Sequence, residues 1–455
     1  MTSSGWPPTS WDRDSRRTDS IAAMSKHPSG VSPAKKIQSG IFPARKLQLR
    51  ARLATTIGGA AGRVSRLTGR GDGSVIGGVI ALRLEPGLLG QLAAGRQIVL
   101  VTGTNGKTTT TRLITAALEA LGRPVATNAF GANMEAGLAA ALGQAQDAPF
   151  GVLEVDEKYI PSVLSATGAR VLALLNLSRD QMDRAAEIWL LARRWRDALA
   201  GAPRCHVVAN ADDPLIAWAA SGAKQVTWVA AGQRWREDSW CCPECGSHLI
   251  RDDPSYRCGE CGFARPAADW VLDGEAVIDP AGRRHELNLA LPGRANRANA
   301  AIALAVAGQF GIDAGQALPA LRKVTSVAGR YTTVQRHGRS VRLLLAKNPA
   351  GWLEAFDVLE PPPVPVLLAV NARGPDGRDT SWLWDVDYRH LRGRRVFVTG
   401  ERRLDLAVRL EADEVAFELV GKVDEAVDLV QTGSLDVIAN YTAFQQIRTA
   451  LGRAE

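Results

Sequence analysis

VTGTNGKTTTT, Val101–Thr111, decides how the rest of the chain is read. It follows an apolar, β-branched run, Ile98–Val101, and leads into TRLITAALEALG, which has a helical pattern. A strand, a glycine-bearing loop and a helix in that order make an anion site. Backbone N–H groups at the helix start point at the anion, and the helix dipole adds to the attraction. Gly103 and Gly106 let the backbone approach a phosphate closely. Lys107 can reach the β and γ phosphates of a nucleotide, and Thr108 can hold Mg2+. The spacing is short, however. The common phosphate loop has a glycine five residues before its Gly-Lys pair, where this chain has Val101.

Further strands follow the loop: GVLEVDE, RVLALLNLS and HVVANADD, each ending in acidic or polar residues. Strands alternating with helices predict a parallel α/β sheet, whose ligands bind beyond the carboxyl ends of the strands. Glu154 stands at such an end, where a carboxylate can bind Mg2+ directly or through water; Asp156 and Glu157 are its rivals. In NADD, Asn210 and Asp212 are candidates for adenine or ribose contacts.

With 455 residues, 46% of them hydrophobic, the chain can bury several cores, and two to four domains are expected. No apolar run reaches the roughly 18–20 residues that span a bilayer, and residues 1–45 lack the apolar core of a secretory signal. Those residues, rich in Ser, Pro, Lys and Arg, read as a disordered lead-in, and a cytoplasmic location follows as the default. The net charge of +8 is modest for the length. Residues 46–95 read as short helices separated by glycine breaks. A boundary is expected near Ala328–Arg330, followed by a second α/β set with strands VRLLLAK, VPVLLAVN, RRVFVTG, VAFELV and LDVIANY.

The stretch from about 236 to 268 differs in character. It carries Cys242-x2-Cys245 and, after twelve residues, Cys258-x2-Cys261. Each pair sets two thiolates on one tight turn, and two such turns complete a tetrahedral Zn2+ site. Four thiolates fill the coordination sphere, so the zinc is structural. Cys241 competes with Cys242, though the paired spacing favours Cys242; Cys205, in a predicted strand, reads as core. The ribbon lacks interleaved aromatic and basic residues, so nucleic acid is not the expected partner. A brace for a loop or a docking point fits better.

TGTNGKTTT resembles the ATP loop of the Mur ligase family, the ATP-dependent acid–amine ligases, in which the shortened form is normal. LEVDE, NLSRDQMDR, NADD, LPGRANRANAAIALA and AGR follow in that family's order. The resemblance implies ATP and Mg2+ as cofactors. It implies nucleotide contacts from Gly103, Thr104, Asn105, Gly106, Lys107, Thr108 and Thr109, with Thr108 and Glu154 on the magnesium. It also implies Asn296 and Asn299 on the adenine side and Arg330 at the domain junction. Two departures stand out. Gln181 replaces the histidine of the ligases that add amino acids, and LARRWRDALA holds no lysine to become carbamylated. Only about fifty residues of ordered character precede the loop, so the family's N-terminal UDP-binding domain is expected to be absent.

The ribbon, LAKNPAGW and NARGPDGRDTSWLWDVDY narrow the resemblance to one branch of that family, covering nearly the whole chain after residue 46. For that branch the implied reaction is amidation of the D-glutamate α-carboxyl in the lipid II stem peptide, through an acyl phosphate. Ammonia would come from a separate glutaminase subunit (GatD-like) in a heterodimer, and no Cys–His glutaminase pair is evident in this chain. Asp379 is the residue implied to be lent to that glutaminase, with Asp376 and Asp385 as alternatives; read alone, it is a helix cap. Lys347 and Asn348 stand at a strand end that approaches substrate in related ligases. The alternative activity is another acid–amine ligase, such as folylpolyglutamate synthesis.

The expected architecture is therefore α/β. A Mur-ligase-like central P-loop ATP-binding domain with a short helical lead-in spans 46–328, with the four-cysteine zinc ribbon inserted at about 236–268. A C-terminal Rossmann-like domain that binds the partner spans 329–455. No transmembrane segment is expected, and the site of action is the inner face of the membrane. Residues 46–70 read either as a basic amphipathic surface contact or, preferably, as a helix packed on the domain.

Overall fold

The computed structural model describes residues 47–67, 74–128, 132–179, 188–325, 331–431 and 433–452. The predicted lead-in at 1–45, Gln181 and Arg330 lie outside these residues.

Three helices come first: α1 (Leu49–Leu67), α2 (Ser74–Leu84) and α3 (Leu88–Ala93). The first sheet then opens with β1 (Gln97–Thr102), β2 (Val125–Thr127), β3 (Phe150–Glu154), β4 (Val171–Leu174), β5 (His206–Asn210) and β6 (Gln225–Ala230). Between and after them run α4 (Lys107–Glu119), α5 (Glu135–Gln144), α6 (Ile160–Thr167), α7 (Ile188–Ala200) and α8 (Pro214–Ala220). A two-stranded hairpin, β7 (Leu249–Asp252) and β8 (Ser255–Cys258), carries the ribbon. Next, β9 (Trp270–Asp273), β10 (Ala276–Ile278) and β11 (Arg284–Glu286) extend the first sheet, before α9 (Arg294–Gly308) and α10 (Ala314–Arg322).

The strand order is β11-β10-β9-β6-β5-β4-β1-β3-β2. β1 pairs in parallel with β3 on one side and β4 on the other, so the order reverses at the strand that carries the loop. That reversal opens a crevice beyond its carboxyl end. β1 is buried on both faces, as expected for a central parallel strand. Ile98 and Leu100 enter one core with α1, α3 and α7, while Val99 and Val101 enter the other with α4 and α9. α9 can lie close to α4 because Ala300, Ala301, Ala303, Ala305 and Ala307, all buried, keep its packed face slim.

The second sheet contains β12 (Tyr331–Arg336), β13 (Arg339–Leu345), β14 (Val366–Ala369), β15 (Val396–Thr399), β16 (Glu418–Leu419) and β17 (Ser434–Ala439). Its order is β12-β13-β17-β14-β15-β16, parallel except for the edge strand β12. Helices α11 (Pro349–Phe356), α12 (Arg403–Ala412), α13 (Val423–Leu429) and α14 (Tyr441–Leu451) complete this unit.

The glycine breaks expected early in the chain need correction. α1 runs for 19 residues straight through Gly58 and Gly59. The reason is packing. A Cβ on Gly58 would stand 2.5 Å from the Gly77 carbonyl oxygen, so glycine there lets α1 and α2 cross at close range. The contact of α2 with α5 is tighter still: a Cβ on Gly78 would meet the Ala136 oxygen at 1.9 Å. Gly78→Ala is expected to force the helices apart at a cost of about 1–3 kcal/mol, read as a lower thermal unfolding midpoint.

Candidate active site

The loop begins where β1 ends. Gly103 has φ +143 and Gly106 has φ +86, both disfavoured for a residue with a Cβ. Space forbids a side chain as well. A Cβ on Gly103 would meet the Asn176 carbonyl oxygen at 2.9 Å, and one on Gly106 would meet Asn299 Oδ1 at 2.5 Å. The seating is completed by a reciprocal pair: Asn105 N–H donates to Asn176 Oδ1 at 2.9 Å, and Asn176 Nδ2 donates to the Asn105 carbonyl at 3.0 Å. Thr104 Oγ1 donates to the Ser178 carbonyl at 3.0 Å and accepts from Ser178 N at 2.9 Å. Thr109 is buried in the first turn of α4.

The three acids proposed as rivals take three different partners. Glu154 is buried, and its Oε2 accepts from Thr108 Oγ1 at 2.7 Å. Its backbone is clamped by Asn128, which accepts from Glu154 N at 2.8 Å and donates to its carbonyl at 2.8 Å. Glu157 pairs with Lys107, Nζ to Oε1 at 2.6 Å. Asp156 accepts from Lys158 N at 3.2 Å and caps the following turn. Burial, followed by repulsion from Glu157, raises its carboxyl pKa. Lys107 curls back on its own loop, donating to the carbonyls of Gly103 at 2.6 Å and Thr104 at 3.3 Å. Its ammonium therefore sits inside the cradle that the loop forms.

A cleft with about 700 Å3 of empty space, part of it open to solvent, lies beside the loop. Asn105, Asn176, Asn210, Trp235, Arg294 and Asn299 are among its lining residues. Asn299 faces the phosphate loop at Gly106, whereas Asn296 has its Nδ2 donating to the Pro292 carbonyl at 2.6 Å. Asn210 and Asp212 stabilise the turn opposite. Asn210 Nδ2 donates to the Gly232 carbonyl at 3.3 Å, and Asp212 Oδ2 accepts from Gly232 N at 2.6 Å. Asp213, which the sequence did not single out, collects N–H donors from Leu177 at 2.9 Å, Leu215 at 3.0 Å and Ile216 at 3.2 Å. It thereby ties the polar run after β4 to the start of α8. Burial pushes its carboxyl up to about 6.

The second unit closes over the cleft. Asn348, the N-cap of α11, exchanges amide hydrogen bonds with Asn105: Asn105 Nδ2 donates at 3.1 Å and Asn348 Nδ2 donates at 3.4 Å. Arg294 pairs with Glu354, Arg234 with Asp357, and Arg179 with Asp385 at 3.4 Å. Lys347, half-buried, follows β13 next to Asn348. Asp379 lies elsewhere on this unit. Its Oδ1 accepts from Ser381 N at 2.8 Å, an Asx turn one residue ahead of the Thr380 cap position, so it is not itself the helix cap read from the sequence. Of the alternatives, Asp376 is engaged by Thr442 and Asp385 by Arg179. On the turn that follows Asp379, Trp384 is exposed, and on α12 Leu404 and Val408 are exposed as well. Arg402 reaches Thr380, and Arg409 lies 5.3 Å over the Trp384 ring.

The ribbon gathers Cys242, Cys245, Cys258 and Cys261, with all four sulfurs within 4.8 Å of one another. The contacts Cys242–Cys261 at 3.6 Å and Cys245–Cys258 at 3.5 Å are close to the ~3.8 Å that sulfurs ~2.3 Å from a tetrahedral zinc would keep. The donor set fits zinc. Cys241 is exposed and outside the group; Cys205 is buried, and burial pushes its thiol up to about 12. Tyr256 and Cys258 pack with Ala217 and Trp228, and Tyr256 Oη donates to the Ala211 carbonyl at 3.0 Å. Arg265 pairs with Asp212 at 2.6 Å. The ribbon thus rests on the turn that faces the cleft.

These features define a class: a phosphate-loop α/β unit closed by a second α/β unit, as in Mur-type ligases. The sequence profile of the Mur ligase middle domain fits residues 101–307, and that of the MurT ligase C-terminal domain fits residues 345–444. The MurT subunit of lipid II isoglutaminyl synthase (glutamine-hydrolyzing) from Streptococcus pneumoniae is 30% identical over 439 residues, which are 88% of this chain and 97% of that one. The subunit of the same name from Staphylococcus aureus is 29% identical over 425 residues, 87% and 96% of the two chains. Among solved structures, MurF from Acinetobacter baumannii shares the fold with TM-score 0.60 at 18% identity, covering 80% of each chain. A pseudomurein peptide ligase type C from Methanothermus fervidus does so with TM-score 0.60 at 19% identity, covering 78% of this chain and 79% of its own. The chain belongs to the Mur ligase family, in the branch of the MurT subunits, and is a ligase of peptidoglycan synthesis.

The geometry separates the cysteines by function. Metal analysis of the purified protein should find ~1 zinc per chain, kept by Cys241→Ser and lost by Cys258→Ser.

Proposed function

We propose that this ligase uses ATP to convert the α-carboxyl of D-glutamate in the lipid II stem peptide to the amide of D-isoglutamine. It takes ammonia from a GatD-like glutaminase with which it forms a heterodimer, and it works in the cytoplasm at the inner face of the membrane. The observation that carries this reading is the near end-to-end match to two chains named MurT subunit of lipid II isoglutaminyl synthase. Among the described residues no helix is long and apolar enough to cross a membrane, so the lipid substrate would be met from one side.

A carboxylate is a poor electrophile, and phosphorylation supplies a leaving group. A carboxylate oxygen attacks the γ-phosphorus, ADP departs, and an acyl phosphate results. The nitrogen of ammonia then attacks the acyl carbon. The C–O bond to phosphate breaks, phosphate leaves with the electron pair, and the nitrogen loses a proton. Backbone N–H groups from Gly103 to Thr109 would cradle the phosphates, and Lys107 would exchange the Gly103 and Thr104 carbonyls for phosphate oxygens. Mg2+, for which the Thr108 hydroxyl and Glu154 carboxylate offer oxygen ligands, would neutralise charge on the transferring group. Asn299 and Asn210, which line the cleft, would define its nucleoside end. Asn348 and Lys347 would present the acceptor carboxylate, because the Asn105–Asn348 amide pair brings that strand end onto the phosphate loop.

Asp379 would orient the catalytic histidine of the glutaminase, with the exposed Trp384 on the following turn as an apolar part of the docking surface.

Purified protein given Mg-ATP, lipid II and ammonium should convert one carboxyl to an amide, seen by mass spectrometry of the stem peptide. Lys107→Ala should lower that rate by about 100-fold or more. Amidation of folate-type or UDP-linked acceptors in place of lipid II would reject the substrate. A separate substitution tests the partner. With the glutaminase present, Asp379→Asn should lower glutamine-fed amidation by roughly three to four orders of magnitude and leave the ammonium-fed reaction intact. Equal loss of both would leave Asp379 only the local turn it closes with Ser381.

A further inference from the structure

Helix α1 carries its bulky side chains on the wrong side for a helix that only packs on its own domain. Its inward face is made of small residues: Ala51, Ala54, Gly58, Gly62 and Ser65 are buried, with Gly58 against α2. Its outward face is a continuous aliphatic stripe. Leu49 is 80% exposed, Leu53 60%, Ile57 42%, Val64 59% and Leu67 87%. Their spacing, with exposed Ala60 between Ile57 and Val64, follows the helical repeat, so the stripe runs the length of the helix directly opposite the packed face. Helices of soluble domains turn such residues inward. Here the requirement for close crossing with α2 has taken the inner face, and the large side chains remain outside.

The charge on the helix itself has one sign. α1 contains Arg50, Arg52, Arg63 and Arg66 and no carboxylate. Arg52 and Arg63 are exposed on its flank. Arg50, also exposed, lies 3.7 Å from Glu85. The sequence holds no Asp or Glu from Ser20 to Gly71, while Lys35, Lys36, Arg45 and Lys46 lead into the helix. An apolar face edged by arginines, with Glu85 beside Arg50 the carboxylate at its start, complements an anionic lipid surface, where acyl chains take the aliphatic residues and headgroup phosphates take the arginines. A protein partner or a second copy of this chain would have to bring its own carboxylates to the rim, and α1 offers none in return.

We propose that the outer face of α1 lies on the surface of an anionic bilayer and holds the ligase there. The inference rests on α1 alone. It agrees with the lipid-linked substrate proposed above without depending on it.

The full-length protein is floated with vesicles of phosphatidylcholine alone and of phosphatidylcholine with phosphatidylglycerol. Binding is expected to the anionic vesicles, weakened by salt, and at least ten-fold lower for Leu53→Gln/Val64→Gln and for Arg52→Glu/Arg63→Glu. All four side chains point outward, so thermal unfolding should be unchanged, and both variants should keep their ammonium-fed turnover on detergent-dispersed substrate. Three outcomes overturn the proposal: no binding to either vesicle, equal binding to both, or variants that bind like the parent. Loss of a dimer on Leu53→Gln/Val64→Gln, with vesicle binding absent, assigns the stripe to a second copy instead.

Discussion

The arrangement of both units depends on one close approach: the loop after β1 lies so near its neighbours that two of its positions cannot carry a side chain. Gly103 is pressed onto the Asn176 backbone and Gly106 onto the Asn299 amide. This contact brings together three elements far apart in sequence: the ends of β1 and β4 and the start of α9. Because the loop is held there by the Asn105–Asn176 hydrogen bonds, the opposite side of Asn105 is left to meet Asn348 of the second unit. The cleft and its closure are consequences of how the loop is seated.

The ribbon acts on the same cleft from the other side. Its hairpin is too small to hold a core of its own, and the four cysteines supply the missing cohesion if they share a metal. What that cohesion secures is specific. Tyr256 binds the Ala211 carbonyl and Arg265 binds Asp212, so the ribbon supports the turn whose Asn210 lines the cleft. A brace for a loop was one of the readings available from the cysteine spacing, and these two contacts give it a physical form.

What was legible in the sequence were the features in which local chemistry and tertiary environment agree. β1, β3, β4 and β5 are apolar because they are central and parallel, and the cysteine pairs announce themselves by spacing. β2, only three residues long, and β12, an edge strand of mixed polarity, lack such a signal and went unnoticed, as did β6. The glycines of α1 misled for a related reason: glycine signals a break locally, but at Gly58 it answers a neighbouring helix that the sequence does not show. Asn176 and Asp213 stand in the NLSRDQMDR and NADD runs, but their particular roles were not legible because their work is done on backbone groups brought near by folding. Asn296 and Asn299 look equivalent in sequence, three residues apart on one helix. Only their partners separate them, Pro292 for one and the loop for the other.

The charges of the loop also bear on how it receives a nucleotide. Lys107 satisfies its ammonium on Glu157 and on two carbonyls of its own loop. Burying a cation there is tolerable only because these partners are in reach. A phosphate that drew Lys107 away would leave Glu157 without its ion-pair partner, beside Asp156 and close in sequence to the buried Glu154. That state needs positive charge, and a nucleotide arriving with its own divalent cation supplies it. The acidic strand end after β3 and the lysine of the loop are thus two halves of one electrostatic balance, which Mg-ATP would take over on the function proposed above.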